Sequence, residues 1–288
     1  MQKFELRYYP KKFRERSTLP TKTLQLFITT MCNKRCRACF YAHQLGHEHM
    51  SFEMYTRLVL DYHDLEGVEK VILLGGEPTL HPDLKRMIEF NQLFGLKTTV
   101  YTNGYNLDVF NDISLDGVSI RIGVYGSTTS EKALSDVKHT DLPVTIVFMA
   151  RKDNIYELPL VAKMAEEDFN CKDFYISSIR DIAQTRSYWI DNEETISMLD
   201  YFNLVQHFVV TYNGKMNLHI SRRGVIRTKM TDEAKISGCR FTNVFPDGKL
   251  IVCPFDISLE KYSSASNYGR KCNKDSECIL QKVVLEQI

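Results

Sequence analysis

Short apolar runs alternate with longer amphipathic stretches through most of the chain. Six of these runs are rich in Leu, Ile, Val, Phe or Tyr and predict β-strands, at residues 24–28, 70–74, 98–101, 118–124, 144–149 and 174–177. Each run is too short for a membrane span and too apolar for a solvent-exposed loop. The pattern therefore predicts buried strands at regular intervals.

The stretches between the runs have the periodicity of amphipathic helices. The first begins after Ser51, a residue suited to an N-cap, and its apolar stripe consists of Phe52, Tyr55, Leu58, Val59 and Tyr62. Further helices are predicted at 81–94, 127–138, 156–167 and 193–212, the first of them with Leu84, Met87, Ile88 and Leu93 facing inward. Strands that alternate with helices predict an α/β fold with a parallel sheet and right-handed crossovers.

Three segments follow from this alternation. Residues 1–21 are a basic N-terminal segment, residues 22–212 carry the βα units, and residues 213–288 break the pattern and hold four of the eight cysteines. The length of 288 residues fits one large domain with a small appendage.

Charge and cysteine content narrow the class of function. The 37 basic and 36 acidic residues nearly cancel, so no nucleic-acid partner is expected. No apolar stretch suits a membrane span or a signal peptide, which predicts a cytoplasmic protein without a membrane partner. Eight cysteines in a reducing compartment favour metal binding or catalysis over disulfides.

The strongest chemical signal is a cysteine triad after the first strand. Cys32, Cys36 and Cys39 are spaced C-x₃-C-x₂-C, and three thiolates can hold three corners of a cubane iron–sulfur cluster while one iron stays open. The competing interpretation is a Cys₃His zinc site that recruits His43 or His47.

Two further signals also follow strands directly. Gly75-Gly76-Glu77-Pro78 ends the second strand, and Thr102-Asn103-Gly104 ends the third. In a parallel barrel the carboxyl ends of the strands share one face, where the chemistry takes place. We therefore expect the cysteine triad, Glu77 and Asn103 to lie together.

The C-terminal segment holds a second group of cysteines: Cys239, Cys253, Cys272 and Cys278. Apolar residues on both sides of Asp247-Gly248 predict a β-hairpin that brings Cys239 and Cys253 near each other. Four thiolates in two pairs can hold one metal centre, either an iron–sulfur cluster or a zinc ribbon.

The triad followed by a strand-terminal Gly-Gly-Glu resembles the radical S-adenosylmethionine (radical SAM) superfamily. The resemblance implies a partial (β/α)₆ TIM-like barrel, a [4Fe–4S] cluster on Cys32, Cys36 and Cys39, and S-adenosylmethionine bound near Gly75, Gly76, Glu77 and Asn103. It further implies reductive cleavage of S-adenosylmethionine to a 5′-deoxyadenosyl radical that abstracts hydrogen from substrate.

The same resemblance suggests other contacts to S-adenosylmethionine or the cavity. The fourth strand carries Gly123-Val124-Tyr125-Gly126 where many family members have Ser-x-Asp-Gly. The candidates for the ribose contact are therefore Ser119, Arg121 and Ser127, and Ser177 is a candidate for lining the cavity.

The C-terminal cysteines resemble the shortened auxiliary-cluster module called Twitch, which is related to the longer SPASM module. This implies one auxiliary [4Fe–4S] cluster on Cys239, Cys253, Cys272 and Cys278 in a small cysteine-rich hairpin and loop module. An auxiliary cluster favours net oxidation or cross-linking of the substrate.

The expected substrate is a ribosomally made peptide. A small-molecule dehydrogenation, of an alcohol or a sugar, is the alternative within the superfamily, and a non-catalytic zinc-binding adaptor is the alternative from another class. The family implies an electron donor such as flavodoxin or ferredoxin. Because only about twenty residues precede the barrel, a separate leader-peptide-binding protein is expected for a peptide substrate. The sequence identifies no catalytic acid or base.

Overall fold

A single sheet organises the protein. The computed structural model describes residues 23–36, 39, 41, 44–124, 142–178, 196, 198–220, 241–248 and 250–251. The strands are β1 Thr23–Thr29, β2 Lys70–Gly75, β3 Lys97–Thr102, β4 Val118–Val124, β5 Val144–Ala150, β6 Asp173–Ser178, β7 Asn217–Ile220, β8 Phe241–Val244 and β9 Leu250–Ile251. The α-helices in the described part are α1 Phe52–Glu66, α2 Leu84–Leu93, α3 Leu158–Glu167 and α4 Met198–Thr211.

The strand order is β7-β6-β5-β4-β3-β2-β1-β8-β9. All neighbours from β7 to β8 pair in parallel, and only β9 is antiparallel to its neighbour. The described strands form an open sheet that does not close into a ring. An open sheet is what a partial TIM-like barrel requires. The α/β prediction and all six predicted strands are confirmed, whereas the predicted helix at 127–138 lies outside the described residues.

The parallel sheet continues beyond the six predicted strands. β7 extends it past β6, and β8 pairs with β1 in the register Thr23 to Phe241. The hairpin predicted around Asp247-Gly248 is confirmed, because Gly248 has a φ of 81° and its N–H donates to the carbonyl of Phe245 at 2.9 Å. The segment boundary at residue 212 stays a prediction.

The predicted helices that lie among the described residues are confirmed with small changes at their ends. Ser51 caps α1 by accepting the Met54 N–H at 3.2 Å. α2 begins at Leu84 rather than 81, because His81 precedes Pro82 and adopts an extended backbone.

Leu93 does not face inward, and that prediction was wrong. Its side chain is 82% exposed, and the inward position of the last turn of α2 is taken by Asn91. Asn91 accepts the Tyr55 hydroxyl at 2.8 Å and donates to the Thr98 hydroxyl at 3.0 Å. The polar residue is buried because both of its polar groups have partners.

The sheet has two different faces. Alternate residues such as Leu24, Val71, Ile120 and Phe174 pack against the helices in the main hydrophobic core. The residues between them point to the other side, which we call the inner face, where Phe27 and other apolar residues form a small second cluster. The carboxyl ends of β1 to β6 form one edge of the sheet, called the carboxyl edge below.

Candidate functional site at the carboxyl edge

The cysteine loop, the end of β2 and the end of β3 lie together at the carboxyl edge. The Asn103 side chain donates to the Asn33 side-chain oxygen at 2.9 Å, and the Lys34 ammonium donates to the Asn103 carbonyl at 3.4 Å. These contacts join the loop of Cys32 to the end of β3. The segments that sequence order predicted to meet are therefore neighbours in the fold.

Gly75 and Gly76 allow two backbone segments to touch. The N–H of Gly76 donates to the Thr29 carbonyl at 2.8 Å, and the N–H of Glu77 donates to the Met31 carbonyl at 2.7 Å. A Cβ at Gly75 would overlap the Thr29 carbonyl, and one at Gly76 would overlap the Met31 carbonyl. Gly75 also has a φ of 146°, which L-residues avoid. Both glycines thus fix the start of the cysteine loop against the end of β2.

The Glu77 carboxylate is only 1% exposed and has four donors. Its Oε1 accepts the Thr79 N–H at 3.1 Å, the Thr79 hydroxyl at 2.7 Å and the Thr102 hydroxyl at 2.6 Å. Its Oε2 accepts the Asn103 N–H at 2.7 Å, which leaves this oxygen capacity for another donor. Glu77 therefore ties the end of β2 to the end of β3.

Thr79 and Thr102 are the functional residues that sequence reasoning missed. Both are buried hydroxyls that donate to Glu77. In the sequence, Thr79 is recognisable only as a threonine two residues after Glu77, and Thr102 only as a threonine at the end of β3. The sequence does not show which acceptor either hydroxyl bonds. The role of Glu77 as an acceptor for S-adenosylmethionine stays a prediction.

The three cysteines of the triad are half-buried and reduced. Burial is the main cause that raises the pKa of Cys32 and of Cys36, and burial raises the pKa of Cys39 to about 12. Cys36 and Cys32 add to the effect on Cys39, which shows that the three sulfurs influence each other. Protonated thiols become ligands when a bound metal displaces their protons.

The donor set consists of three thiols, the ligands that hold three irons of a cubane cluster, one thiolate to each iron. Among the described residues, no three His, Cys, Asp or Glu side chains are grouped closely enough to hold one metal ion. Of the histidines considered for zinc, His47 is exposed and His43 lies outside the described residues.

Two other histidines near the loop have structural contacts. His81 is buried and its Nε2 lies 2.9 Å from the Met50 carbonyl, while its ring meets that of His49 edge-on at 5.0 Å between centroids. Burial is the first cause that lowers the pKa of each ring, which favours the neutral form of both.

The remaining predicted binding residues lie at different heights on the inner face. Ser177 pairs with Met149 near the carboxyl end of β6. Ser119 pairs with Thr99 and lies five residues before the end of β4, about 17 Å below the carboxyl edge at ~3.3 Å per residue. Arg121 lies between these levels, and Ser127 lies outside the described residues. Only Ser177 among them is near the cysteine loop in height, and the assigned roles stay predictions.

The hairpin β8–β9 approaches the cysteine loop from the other side of β1. Phe245 packs against Phe27 with ring centroids 5.5 Å apart and against Tyr41 at 6.1 Å, and Cys39 contacts the same apolar cluster. The four C-terminal cysteines lie outside the described residues. Within the described part, no helix has the length and apolarity to cross a membrane.

Comparison with known proteins agrees with this geometry. Residues 26–125 match the model of the Radical SAM superfamily. This matched stretch contains the cysteine triad, the glycine pair, Glu77 and Asn103.

Two curated relatives are similar to parts of the chain. The S-adenosylmethionine-dependent nucleotide dehydratase of Flammeovirga pacifica is 31% identical over 136 residues, which is 44% of this chain and 46% of that protein. The chain thus aligns with less than half of the length of that relative. The GTP 3′,8-cyclase of Staphylococcus saprophyticus is 22% identical over 272 residues, 82% of this chain and 79% of that protein.

A solved structure with the same fold is SuiB of Streptococcus suis in complex with the precursor peptide SuiA. It superimposes with a TM-score of 0.71 at 14% identity and covers 92% of this chain and 66% of that chain. SuiB bound to S-adenosylmethionine gives a TM-score of 0.70. At this identity the likeness establishes the fold.

Proposed function

We propose that this protein is a radical SAM enzyme that oxidises or cross-links a peptide. The observation that carries the proposal is the joint construction of the carboxyl edge. There the cysteine loop is hydrogen-bonded to Gly76, Glu77 and Asn103, inside the stretch that matches the superfamily model. When bound, the [4Fe–4S] cluster supplies the electron that cleaves S-adenosylmethionine.

The described residues have separate tasks in this function. Cys32, Cys36 and Cys39 would hold the cluster, and the backbone at Gly75 and Gly76 fixes their loop relative to β2. Glu77 keeps the end of β3 in register with that turn, and one face of its Oε2 remains for the amino group of S-adenosylmethionine.

The C-terminal cysteines would hold an auxiliary [4Fe–4S] cluster. Cys239 precedes Phe241 by two residues and Cys253 follows Ile251 by two, and the ends of this hairpin are at the amino edge of the sheet because Phe241 pairs with Thr23. An auxiliary cluster on these cysteines suits removal of an electron from the substrate.

The peptide class is supported by the likeness to SuiB, which was solved with a precursor peptide. A flavodoxin or ferredoxin would supply electrons, and a separate protein would present the peptide leader. A second candidate is small-molecule tailoring. It is favoured by the nucleotide dehydratase and the GTP cyclase among the relatives.

Metal analysis of anaerobically reconstituted protein tests the proposal. We expect about eight irons per chain, the sum for two cubanes. The triple variant Cys32→Ala, Cys36→Ala and Cys39→Ala should retain about four irons and form no 5′-deoxyadenosine. About four irons in the unmodified protein would refute the auxiliary cluster, and stoichiometric zinc without iron would favour the adaptor alternative.

The variant Cys253→Ala separates the two clusters. It should still cleave S-adenosylmethionine while oxidised product disappears. Circular dichroism and S-adenosylmethionine binding serve as the controls for folding, because metal binding and folding are coupled. Full product formation by a Cys253→Ala protein with about four irons would refute the redox role.

A further inference from the structure

Arg121 occupies the middle of the inner face and has no carboxylate partner among the described residues. Its Nη1 donates to the Tyr101 hydroxyl at 2.7 Å and its Nη2 donates to the Tyr175 hydroxyl at 3.1 Å. The guanidinium carbon lies 4.3 Å from the centre of the Tyr175 ring. No described carboxylate forms an ion pair with it, although half-buried charges are usually paired.

Several donors around this cation are uncommitted. The Nε of Arg121 is buried and has no hydrogen-bond partner in the described part of the protein. The Tyr101 and Tyr175 hydroxyls both accept from Arg121, so their own protons are not used in that contact. A guanidinium between two hydroxyl donors is a suitable arrangement for binding an oxyanion.

The surrounding charge is also positive. Lys70 is on the same face of β2, and its pKa is lowered by burial and by the nearby Arg121 and Lys97. Asp173, a described carboxylate that interacts electrostatically with Arg121, accepts from His219 at 2.7 Å and from the Asn217 amide at 3.3 Å. Its negative charge is therefore directed to β7 rather than to Arg121.

Space exists next to this group of donors. Gly123 follows Arg121 on the same face of β4, and a Cβ at Gly123 would meet no atom of the described residues within 4 Å. The glycine is not needed for backbone conformation, because its φ is outside the positive region. The missing side chain leaves a gap between Arg121 and the carboxyl edge.

We propose that Arg121, Tyr101 and Tyr175 form a binding site for an oxyanion of the substrate, a carboxylate or a phosphate. The proposal rests on the proposed function for the identity of the substrate. Arg121 is three residues before the end of β4, so the anion would lie about 10 Å below the carboxyl edge, at ~3.3 Å per residue. The site would hold one end of the substrate and present another part to the cysteine loop.

Calorimetric titration of the reconstituted full chain with glutarate and, separately, with inorganic pyrophosphate tests this site. At least one probe should bind, and Arg121→Gln should weaken its affinity at least tenfold. Arg121→Lys should recover only part of the affinity, because lysine retains the charge without the planar fork. Binding of glutarate alone indicates a carboxylate, and binding of pyrophosphate alone indicates a phosphate.

Two further variants protect the interpretation. Gly123→Leu keeps Arg121 but fills the gap, and it should weaken binding at least tenfold with an unchanged unfolding temperature. Arg57→Gln removes an exposed arginine of α1 that pairs with Glu53, and it should bind the probe as the unmodified protein does. The proposal is overturned if neither probe binds, or if Arg121→Gln and the unmodified protein bind equally.

Iron content and S-adenosylmethionine affinity are measured on the same samples. Normal values for both with no probe binding would refute the oxyanion site and leave the proposed function standing. Probe binding that depends on Arg121 in a protein without iron would support the oxyanion site and refute the proposed function.

Discussion

Glu77 at the carboxyl edge and Arg121 on the inner face are both charged groups inside the same sheet, but their surroundings differ. Glu77 is almost completely buried and receives four hydrogen bonds from three residues. Arg121 is half-buried, has two neutral acceptors and keeps a buried Nε without a partner among the described residues. Within the described residues, Glu77 has a donor for each of its oxygens, whereas one donor of Arg121 has no acceptor.

This difference distinguishes a charged residue that stabilises the fold from one that is available to bind a ligand. A buried charge that receives four hydrogen bonds from the protein holds backbone segments in place, as Glu77 holds β2 against β3, even though its Oε2 can still accept one more donor. A buried donor without an acceptor carries a desolvation cost that a ligand can remove. The same contrast exists between Gly75, whose hydrogen atom faces a backbone carbonyl, and Gly123, which faces a gap.

The largest effect is expected from adding one methyl group at Gly75. Gly75→Ala should lower the free energy of unfolding by at least about 3 kcal/mol, because the Cβ overlaps the Thr29 carbonyl and φ is positive. Gly123→Ala is the matched control and should change the unfolding free energy by less than about 0.5 kcal/mol. Denaturant unfolding measures both free energies. Equal losses for Gly75→Ala and Gly123→Ala would contradict the difference between the two glycine positions.

A smaller effect is expected from removing the carboxylate of Glu77. Glu77→Ala leaves the Thr79, Thr102 and Asn103 donors without their acceptor and should cost about 2–3 kcal/mol of unfolding free energy. S-adenosylmethionine affinity should fall while iron content is retained. Glu89→Ala, on the exposed side of α2, is the control. Loss of iron together with affinity would show that Glu77 also fixes the cysteine loop.

Loss of one hydrogen-bond acceptor on the inner face should destabilise the protein less than loss of the Glu77 carboxylate. Tyr175→Phe keeps the ring over Arg121 but removes the hydroxyl that accepts from Nη2, and we expect a cost of about 1 kcal/mol in unfolding free energy. Tyr156→Phe, at a 75% exposed side chain, should be neutral. If Tyr175→Phe costs as much as Glu77→Ala, the inner face is as fully committed to folding as the carboxyl edge.

The smallest effect is a pH dependence at the border of the inner face. The hydrogen bond from His219 is the first cause that lowers the pKa of Asp173 below its ordinary value of 3.8. A lowered pKa stabilises the folded state above pH 3.8, and this contribution is lost as pH falls further. Asp173→Asn should therefore reduce the steepness of acid unfolding below about pH 4. Identical acid-unfolding curves for Asp173→Asn and the unmodified protein would contradict the predicted contribution of Asp173. Asp116→Asn, at an exposed side chain, is the control.

Much of this architecture could be predicted from local pattern. The cysteine spacing, the strand-terminal Gly-Gly-Glu and the Asp-Gly hairpin are short segments whose chemistry depends on near neighbours in sequence. The prediction for Leu93 failed because it used the local pattern alone. Helical periodicity predicted an inward Leu93, but Asn91 is buried instead, since Tyr55 of α1 and Thr98 of β3 supply its hydrogen-bond partners.

The sequence by itself predicted the parallel sheet and the meeting of the cysteine loop with Glu77 and Asn103. Alternating strands and helices permit one handedness of crossover, and parallel strands end on one edge. Only the tertiary structure decided that Thr79 and Thr102 donate to Glu77, that β8 pairs with β1, and that Arg121 donates to the hydroxyls of two tyrosines from neighbouring strands. These contacts join residues from different strands, and their distances depend on strand register, which hydrophobic pattern alone does not specify.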